Sequence, residues 1–274
     1  MIQYSFFPTD PRLSEYIFSY GLMELPAGAT APLISPPNGL TGFLIRVKCD
    51  KDGVVVGKDF KGNPIAHQPS YAIGQTTYPI TGHAVGQLTF LVVFFQPMGM
   101  YQLFGYNTDA ITNKSVDLLD FLGQKIGERL IAELVLADDR EQQLEILNSF
   151  FLNRIPIEDN CGDLKKVLVL IHESQGGISI IKIADSSGIN RRTLERHFHK
   201  RVGISPKVYV QIIRFKNAMN YLQANPNITW TELTYNNGFF DQAHMIRYFK
   251  EYLKVSPNNL VKIDLDFINY LLKH

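Results

Sequence analysis

The stretch RRTLERHFHKRVGISP, Arg191 to Pro206, decides how the second half of this 274-residue chain is read. Its large apolar residues are Leu194, Phe198, Val202 and Ile204. Leu194 and Phe198 stand four apart, the spacing that turns both toward one face of a helix. Arg192 and Arg196 are also four apart and project together from another side. Ser205 and Pro206 then open a further helix, serine as N-cap and proline in the first turn.

The pattern recurs. Leu194 corresponds to Met245, Arg196 to Arg247, Phe198 to Phe249, Ser205 to Ser256 and Pro206 to Pro257, each pair 51 positions apart. Gly188 and Gly238, which precede the two helices, are only 50 apart, so the second turn is one residue longer. Each unit reads as a short helix, a tight glycine turn and a second helix, and the chain carries two such helix-turn-helix units. Between them, Val208, Ile212, Phe215, Met219 and Leu222 mark one long helix that sets their distance. A separation of about 34 Å would bring two recognition helices into successive major grooves of DNA.

The outward residues suit that task. Arginine bonds guanine O6 and N7 in bidentate fashion, glutamate accepts from cytosine N4, and glutamine matches adenine. In the first unit Arg192, Glu195, Arg196 and His199 project away from the core, and Lys200 and Arg201 near the helix end suit phosphates. In the second unit Gln242 and Arg247 face out, with His244 beside them. The phosphate-facing set is Arg191, His199, Lys200, Arg201, His244 and Lys250. Charge agrees with this reading. From Asp163 to Lys262 there are 15 Lys+Arg and 7 Asp+Glu, a net of +8, whereas the remainder holds 12 and 19, a net of −7. Only the basic part is suited to a polyanion.

Along IADSSGINRRTLERHFHKRVGISPKVYV (Ile183 to Val210) and GFFDQAHMIRYFKEYLKVSP (Gly238 to Pro257) the chain resembles the AraC-type (AraC/XylS) family of bacterial transcription regulators. The resemblance spans roughly 100 residues and implies a seven-helix DNA-binding domain. It places base contacts on Arg192, Glu195 and Arg196, and on Gln242, Ala243 and Arg247. Two positions depart from the family pattern. Thr234 stands where alanine is usual, and Lys254 where glycine is usual before the second Ser-Pro.

The first 110 residues are punctuated by glycine and proline, as in LPAGATAPLISPPNG and YPITGHAVG. Short β-branched and aromatic runs lie between: Phe43–Val47, Gly53–Gly57, Tyr71–Thr77 and Leu88–Phe95. This texture predicts a β-barrel or sandwich. From Ser115, taken as an N-cap, Val116, Leu119, Leu122, Ile126, Leu130 and Leu134 keep helical spacing, and Leu144, Leu147, Phe150 and Phe151 repeat it. These two amphipathic helices close the N-terminal domain, and they could form a dimer face or equally pack on the barrel. The segment Val85–Gly105 resembles, more weakly, the sensor-type domain of one branch of the same family, which implies a cupin-like barrel. Phe43, Ile45, Tyr71, Phe90, Phe94 and Tyr101 are candidates to line an effector pocket.

Signals for catalysis are weak. Cys49 and Cys161 have no C-x-x-C spacing and no adjacent histidine. His67 and His83 read as isolated loop residues rather than metal ligands. No catalytic residue, metal or cofactor is expected. The longest apolar run, about Leu88 to Phe95, is too short for a membrane span, and no secretory leader is visible, so a cytoplasmic location is expected.

The fold class expected is therefore α+β: an N-terminal cupin-like β-barrel with flanking helices over 1–155, a linker over 156–162, and an all-α double helix-turn-helix domain over 163–274. The function expected is a sequence-specific transcription regulator. Its partners would be double-stranded DNA, a small-molecule effector, a second copy of the chain and, for an activator, RNA polymerase, with no membrane. The alternative is a cupin-like enzyme or metal-binding protein that uses the helices for tethering.

Overall fold

The computed structural model describes residues 2–50, 53–58, 64–65, 69–156 and 161–272. Its N-terminal part holds strands β1 (Gln3–Phe7), β2 (Ile17–Leu25), β3 (Thr30–Ser35), β4 (Thr41–Cys49), β5 (Val54–Lys58), β6 (Pro64–Ile65), β7 (Ser70–Ile73), β8 (Ile80–Val85), β9 (Leu88–Phe95) and β10 (Ser115–Asp117). They form two antiparallel sheets, one in the order β1-β2-β9-β4-β7-β10 and one in the order β3-β8-β5-β6. The four runs read as strands are β4, β5, β7 and β9. The structure adds four longer strands, β1, β2, β3 and β8, of which β3 contains Pro32 and β8 contains Gly82, residues that interrupt a strand pattern. His83 accordingly sits in β8 rather than in a loop, and His67 lies outside the described residues.

Strand β9 shows why its sequence does not alternate in polarity. All eight of its residues are buried, because both faces of the larger sheet are covered. Leu88, Phe90, Val92 and Phe94 point between the sheets with Leu25, Leu40 and Ala84. Leu91, Val93 and Phe95 point outward into a second core with Phe43 and Ile45. Helices α1 (Gly99–Phe104), α2 (Leu118–Leu122), α3 (Gln124–Leu136) and α4 (Arg140–Leu152) supply the other half of that second core through Leu103, Leu118, Leu130, Leu134, Leu147 and Phe151. The continuous helix expected from Ser115 is corrected here. Ser115–Asp117 pairs with the edge of β7, Asp117 Oδ1 accepts from the Leu119 amide at 2.7 Å, and Gly123 at φ 82° separates α2 from α3. Helical spacing survives across a break that only glycine tolerates.

The C-terminal part is helical: α5 (Gly162–Glu173), α6 (Ile180–Ser187), α7 (Arg191–Arg201), α8 (Pro206–Ala224), α9 (Trp230–Asn236), α10 (Gln242–Leu253) and α11 (Leu265–Leu272). Helices α7, α8, α9 and α10 start at side-chain caps, the one at Ser205 as expected. Asn190, Ser205 and Asp241 accept from the amides of Thr193, Val208 and His244, and Thr229 with Glu232 forms a reciprocal capping box. One core joins the helices. Leu194, Phe198, Phe215, Met219, Met245 and Phe249 meet in it. Ser256-Pro257, the counterpart of Ser205-Pro206, opens only a 3-10 turn over Pro257–Lys262 where the repeat would place a helix, and α11 follows as an additional element. Helix α11 is two-faced: Ile268 and Leu272 enter the helical core, while Phe267, Tyr270 and Leu271 enter the space between the sheets.

Both departures from the family pattern have a structural setting. Thr234 is buried, and its hydroxyl donates to the Trp230 carbonyl at 2.6 Å and lies 3.3 Å from Met245 Sδ. Lys254 ends α10 in the left-handed region at φ 60°, where a side chain carries a cost. Lys254→Gly should therefore raise the unfolding free energy by about 0.5–1 kcal/mol, and Lys254→Ala should not, as read by denaturant titration.

Lys216 of α8 is 7% exposed within the helical domain, and burial pushes its ammonium down to about 8. Nearby, His172 lies 2.9 Å from the Tyr209 hydroxyl; burial first, and then the Lys216 charge, push its imidazole down to about 4. Between about pH 8 and the ordinary lysine range the unfolded chain holds a proton that the folded chain has released, so stability rises with pH there. Below about pH 8 the penalty is present in full. Lys216→Met is expected to stabilise the protein at pH 7 by on the order of 1–3 kcal/mol and to flatten that alkaline rise, measured as Tm against pH.

Candidate nucleic-acid interface

Helix α7 presents two faces set by its apolar pair. Leu194 and Phe198 are fully buried, while Arg191, Arg192, Arg196, His199 and Lys200 are exposed. Glu195 is half-buried, and its Oε1 lies 3.3 Å from Arg191 Nε across one helical turn. That pair holds the carboxylate beside Arg192 and Arg196 on the outer face. Exposed pairs of this kind contribute little stability, so it opens readily.

Helix α10 repeats the arrangement. Met245 and Phe249 are buried, and Gln242, Ala243, Arg247 and Lys250 are exposed. Gln242 Nε2 donates to Thr231 Oγ1 at 2.7 Å, which fixes its amide against the start of α9. His244 is placed differently from its neighbours. Its Nδ1 accepts from the Phe240 amide at 3.3 Å, and its ring meets Phe239 and Tyr248 edge-on at 5.7 and 5.0 Å. Burial lowers its pKa, and the Arg214 and Arg247 charges lower it further, against the opposing charge of Asp241. His244 is a brace of the turn, with only Nε2 left to donate to a phosphate.

The C-terminal end of α7 meets the N-terminal domain. Thr108 Oγ1 donates to the Lys200 carbonyl at 3.0 Å, and Thr112 Oγ1 donates to the Gly203 carbonyl at 2.5 Å. The Tyr101 ring lies 5.8 Å from Lys200 Nζ and 5.7 Å from Arg201 Cζ, within cation–π range. Arg201 is half-buried, and its Nε has no hydrogen-bond partner among the described residues. Lys200 and Arg201 thus lie on a seam between the two parts of the chain, beside the other cations of α7. Sequence spacing could not reveal this, because the contact joins residues some ninety positions apart. A second contact is made by α11, where Asn38 Nδ2 donates to the Leu271 carbonyl at 3.2 Å.

Between the sheets lies a cavity of about 170 Å³. Among its walls are Leu44, Tyr71, Phe90, Phe94, Phe267 and Leu271, and Arg46 is the one cation among the described lining residues. Of the residues nominated for an effector pocket, Tyr71, Phe90 and Phe94 line this space. Phe43 and Ile45 do not, because the strand pleat turns them into the outer core while Leu44 and Arg46 face the cavity. Tyr101 lies at the seam with α7. Burial pushes the Tyr71 hydroxyl up to about 12. No helix among the described residues is long and apolar enough to cross a membrane.

Residues 183–262 match the model of a helix-turn-helix domain family. The Msm operon regulatory protein of Streptococcus mutans is 29% identical over 100 residues, and the match covers 36% of each chain. The chain thus spans about a third of that relative's length. Among solved structures, ToxT from Vibrio cholerae aligns over 98% of this chain and 97% of its own at 13% identity, with a TM-score of 0.48. A cupin domain from Bordetella pertussis Tohama I aligns over 35% of this chain and 93% of its own at 8% identity, with a TM-score of 0.24.

Proposed function

We propose that this chain, whose residues 183–262 are an AraC-type helix-turn-helix domain, is a sequence-specific DNA-binding transcription regulator rather than an enzyme. The observation that carries the reading is the pair of capped helices α7 and α10. Each buries its apolar face in one shared core and presents a polar face carrying exposed arginine outward. Arg192, Glu195 and Arg196 would read one half-site, and Gln242, Ala243 and Arg247 the other. Arg191, His199, Lys200, Arg201, His244 and Lys250 would lie along the phosphates. The net +8 of residues 163–262 supplies the long-range attraction.

The division into an N-terminal domain over 1–155, a linker over 156–162 and a DNA-binding domain over 163–274 belongs to this proposal. So does the role of the cavity as the site of a small-molecule effector. Phe267 and Leu271 of α11 form part of its wall, so a bound molecule would bear on the element that follows the second unit. A homodimer would use α3, which leaves Val135 and Leu136 exposed, and an activator would meet RNA polymerase in the cytoplasm.

Selection of duplexes from a random pool by the full-length chain tests the reading. The expected product is one motif with two half-sites about one helical turn apart. Enrichment without any motif would reduce the interaction to charge and contradict sequence reading by α7 and α10.

A further inference from the structure

The one-residue difference between the two turns identifies a side chain that the repeat leaves unexplained. Both recognition helices start from an N-cap, Asn190 and Asp241, which stand in corresponding positions. Between Gly188, at φ 68°, and Asn190 there is a single residue, Ile189, half-buried against the helical core. Between Gly238, at φ 65°, and Asp241 there are two, Phe239 and Phe240. Phe239 is 6% exposed and occupies the core as Ile189 does. Phe240 is the inserted residue, and it is 93% exposed, the most exposed large apolar side chain among the described residues.

Its position is held. The Phe240 amide donates to His244 Nδ1, and the His244 ring is packed on Phe239 and Tyr248. The phenyl group therefore stands at the N-terminal end of α10, two residues before Gln242. That end of a recognition helix is the part that approaches base edges. A phenyl ring has no donor or charge for a phosphate. The apolar group that a major groove offers is the thymine C5 methyl. The surrounding surface fits the same partner, because Gln242, Ala243, Arg247 and Lys250 are all exposed on this helix. Ala243 offers a second methyl contact beside the glutamine suited to adenine.

We infer that Phe240 is a specificity-determining residue that packs against thymine methyl groups at the outer edge of the second half-site. The inference rests on the regulator reading above. It makes the second unit a reader of A·T pairs through shape and methyl contact, with Arg247 supplying the guanine contact.

The test uses the full-length chain and a duplex carrying its selected motif, in which thymines of the second half-site are replaced one at a time by 2′-deoxyuridine. Wild-type protein should lose about threefold to fivefold in affinity at one or two of these positions. Phe240→Ser should bind the unmodified duplex more weakly by a similar factor and show no further loss with deoxyuridine. Its melting temperature should match wild type, since the ring makes no buried contact. Three results overturn the inference: a deoxyuridine effect that persists in Phe240→Ser, a uniform loss in that variant with no deoxyuridine effect in wild type, or unchanged binding by the variant. In each case dependence on Arg247 for the same motif shows whether the regulator reading stands. Failure to select any motif would instead remove that reading itself.

Discussion

Arg196→Ala combined with Arg247→Ala is expected to lower affinity for the selected duplex by about 30-fold to 10⁴-fold, since each bidentate base contact is worth roughly 1–3 kcal/mol. Both guanidinium groups are exposed, and neither forms an ion pair among the described residues, so the substitutions break no internal ion pair there. The loss should fall on the motif. Binding to random duplex should weaken far less, and relaxed base preference should appear at one position per half-site. Titration of motif and scrambled duplexes at one fixed salt concentration measures both quantities. Equal affinity of wild type and double mutant for the motif would show that these helix faces do not read bases.

Phe249→Ala is expected to cost about 3–5 kcal/mol of stability, a large share of a typical domain's 5–15 kcal/mol. The ring is fully buried and stands edge-on to Phe215 at 5.6 Å and to Trp230 at 6.4 Å. Those partners lie on α8 and α9, so one side chain ties the recognition helix to both its spacer and its turn partner. Phe198 holds the matching place in the first unit, 5.9 Å from Tyr209. Chemical denaturation of Phe249→Ala, followed by binding at a temperature where it remains folded, separates the two consequences. A loss below about 1 kcal/mol would mean that α10 is not anchored through this core.

The helical half was largely legible because its information is local. Caps at Asn190, Ser205, Thr229 and Asp241, glycines before two helices, and apolar pairs four apart are short-range signals, and each cap finds its partner within three residues. The N-terminal half was less legible for a tertiary reason. Strand β9 is covered on both faces, so it shows no alternation, and Gly82 and His83 within β8 resemble a turn until a neighbouring strand pairs with them. The same limit applies to the site. Exposure of Arg192, Arg196, Gln242 and Arg247 follows from helical spacing. The seating of Lys200 and Arg201 against Tyr101, the brace made by His244, and the cavity wall supplied by α11 all depend on contacts between distant segments. The glycine spacing of 50 against 51 was visible in the sequence, but only burial shows that Phe240 is the residue left outside.

The most direct test of two recognition helices held in fixed register is half-site spacing. Helix α8 has 19 residues and spans about 28 Å at a rise of about 1.5 Å per residue. Its ends are tied into one core with both units. Inserting five base pairs between the half-sites turns the second to the opposite side of the duplex, by about half a helical turn. Wild-type affinity should then fall further than Arg247→Ala lowers it on the unaltered duplex, because every contact of the second unit is lost together. Affinity unchanged by the insertion would contradict a rigid pair of readers on one chain.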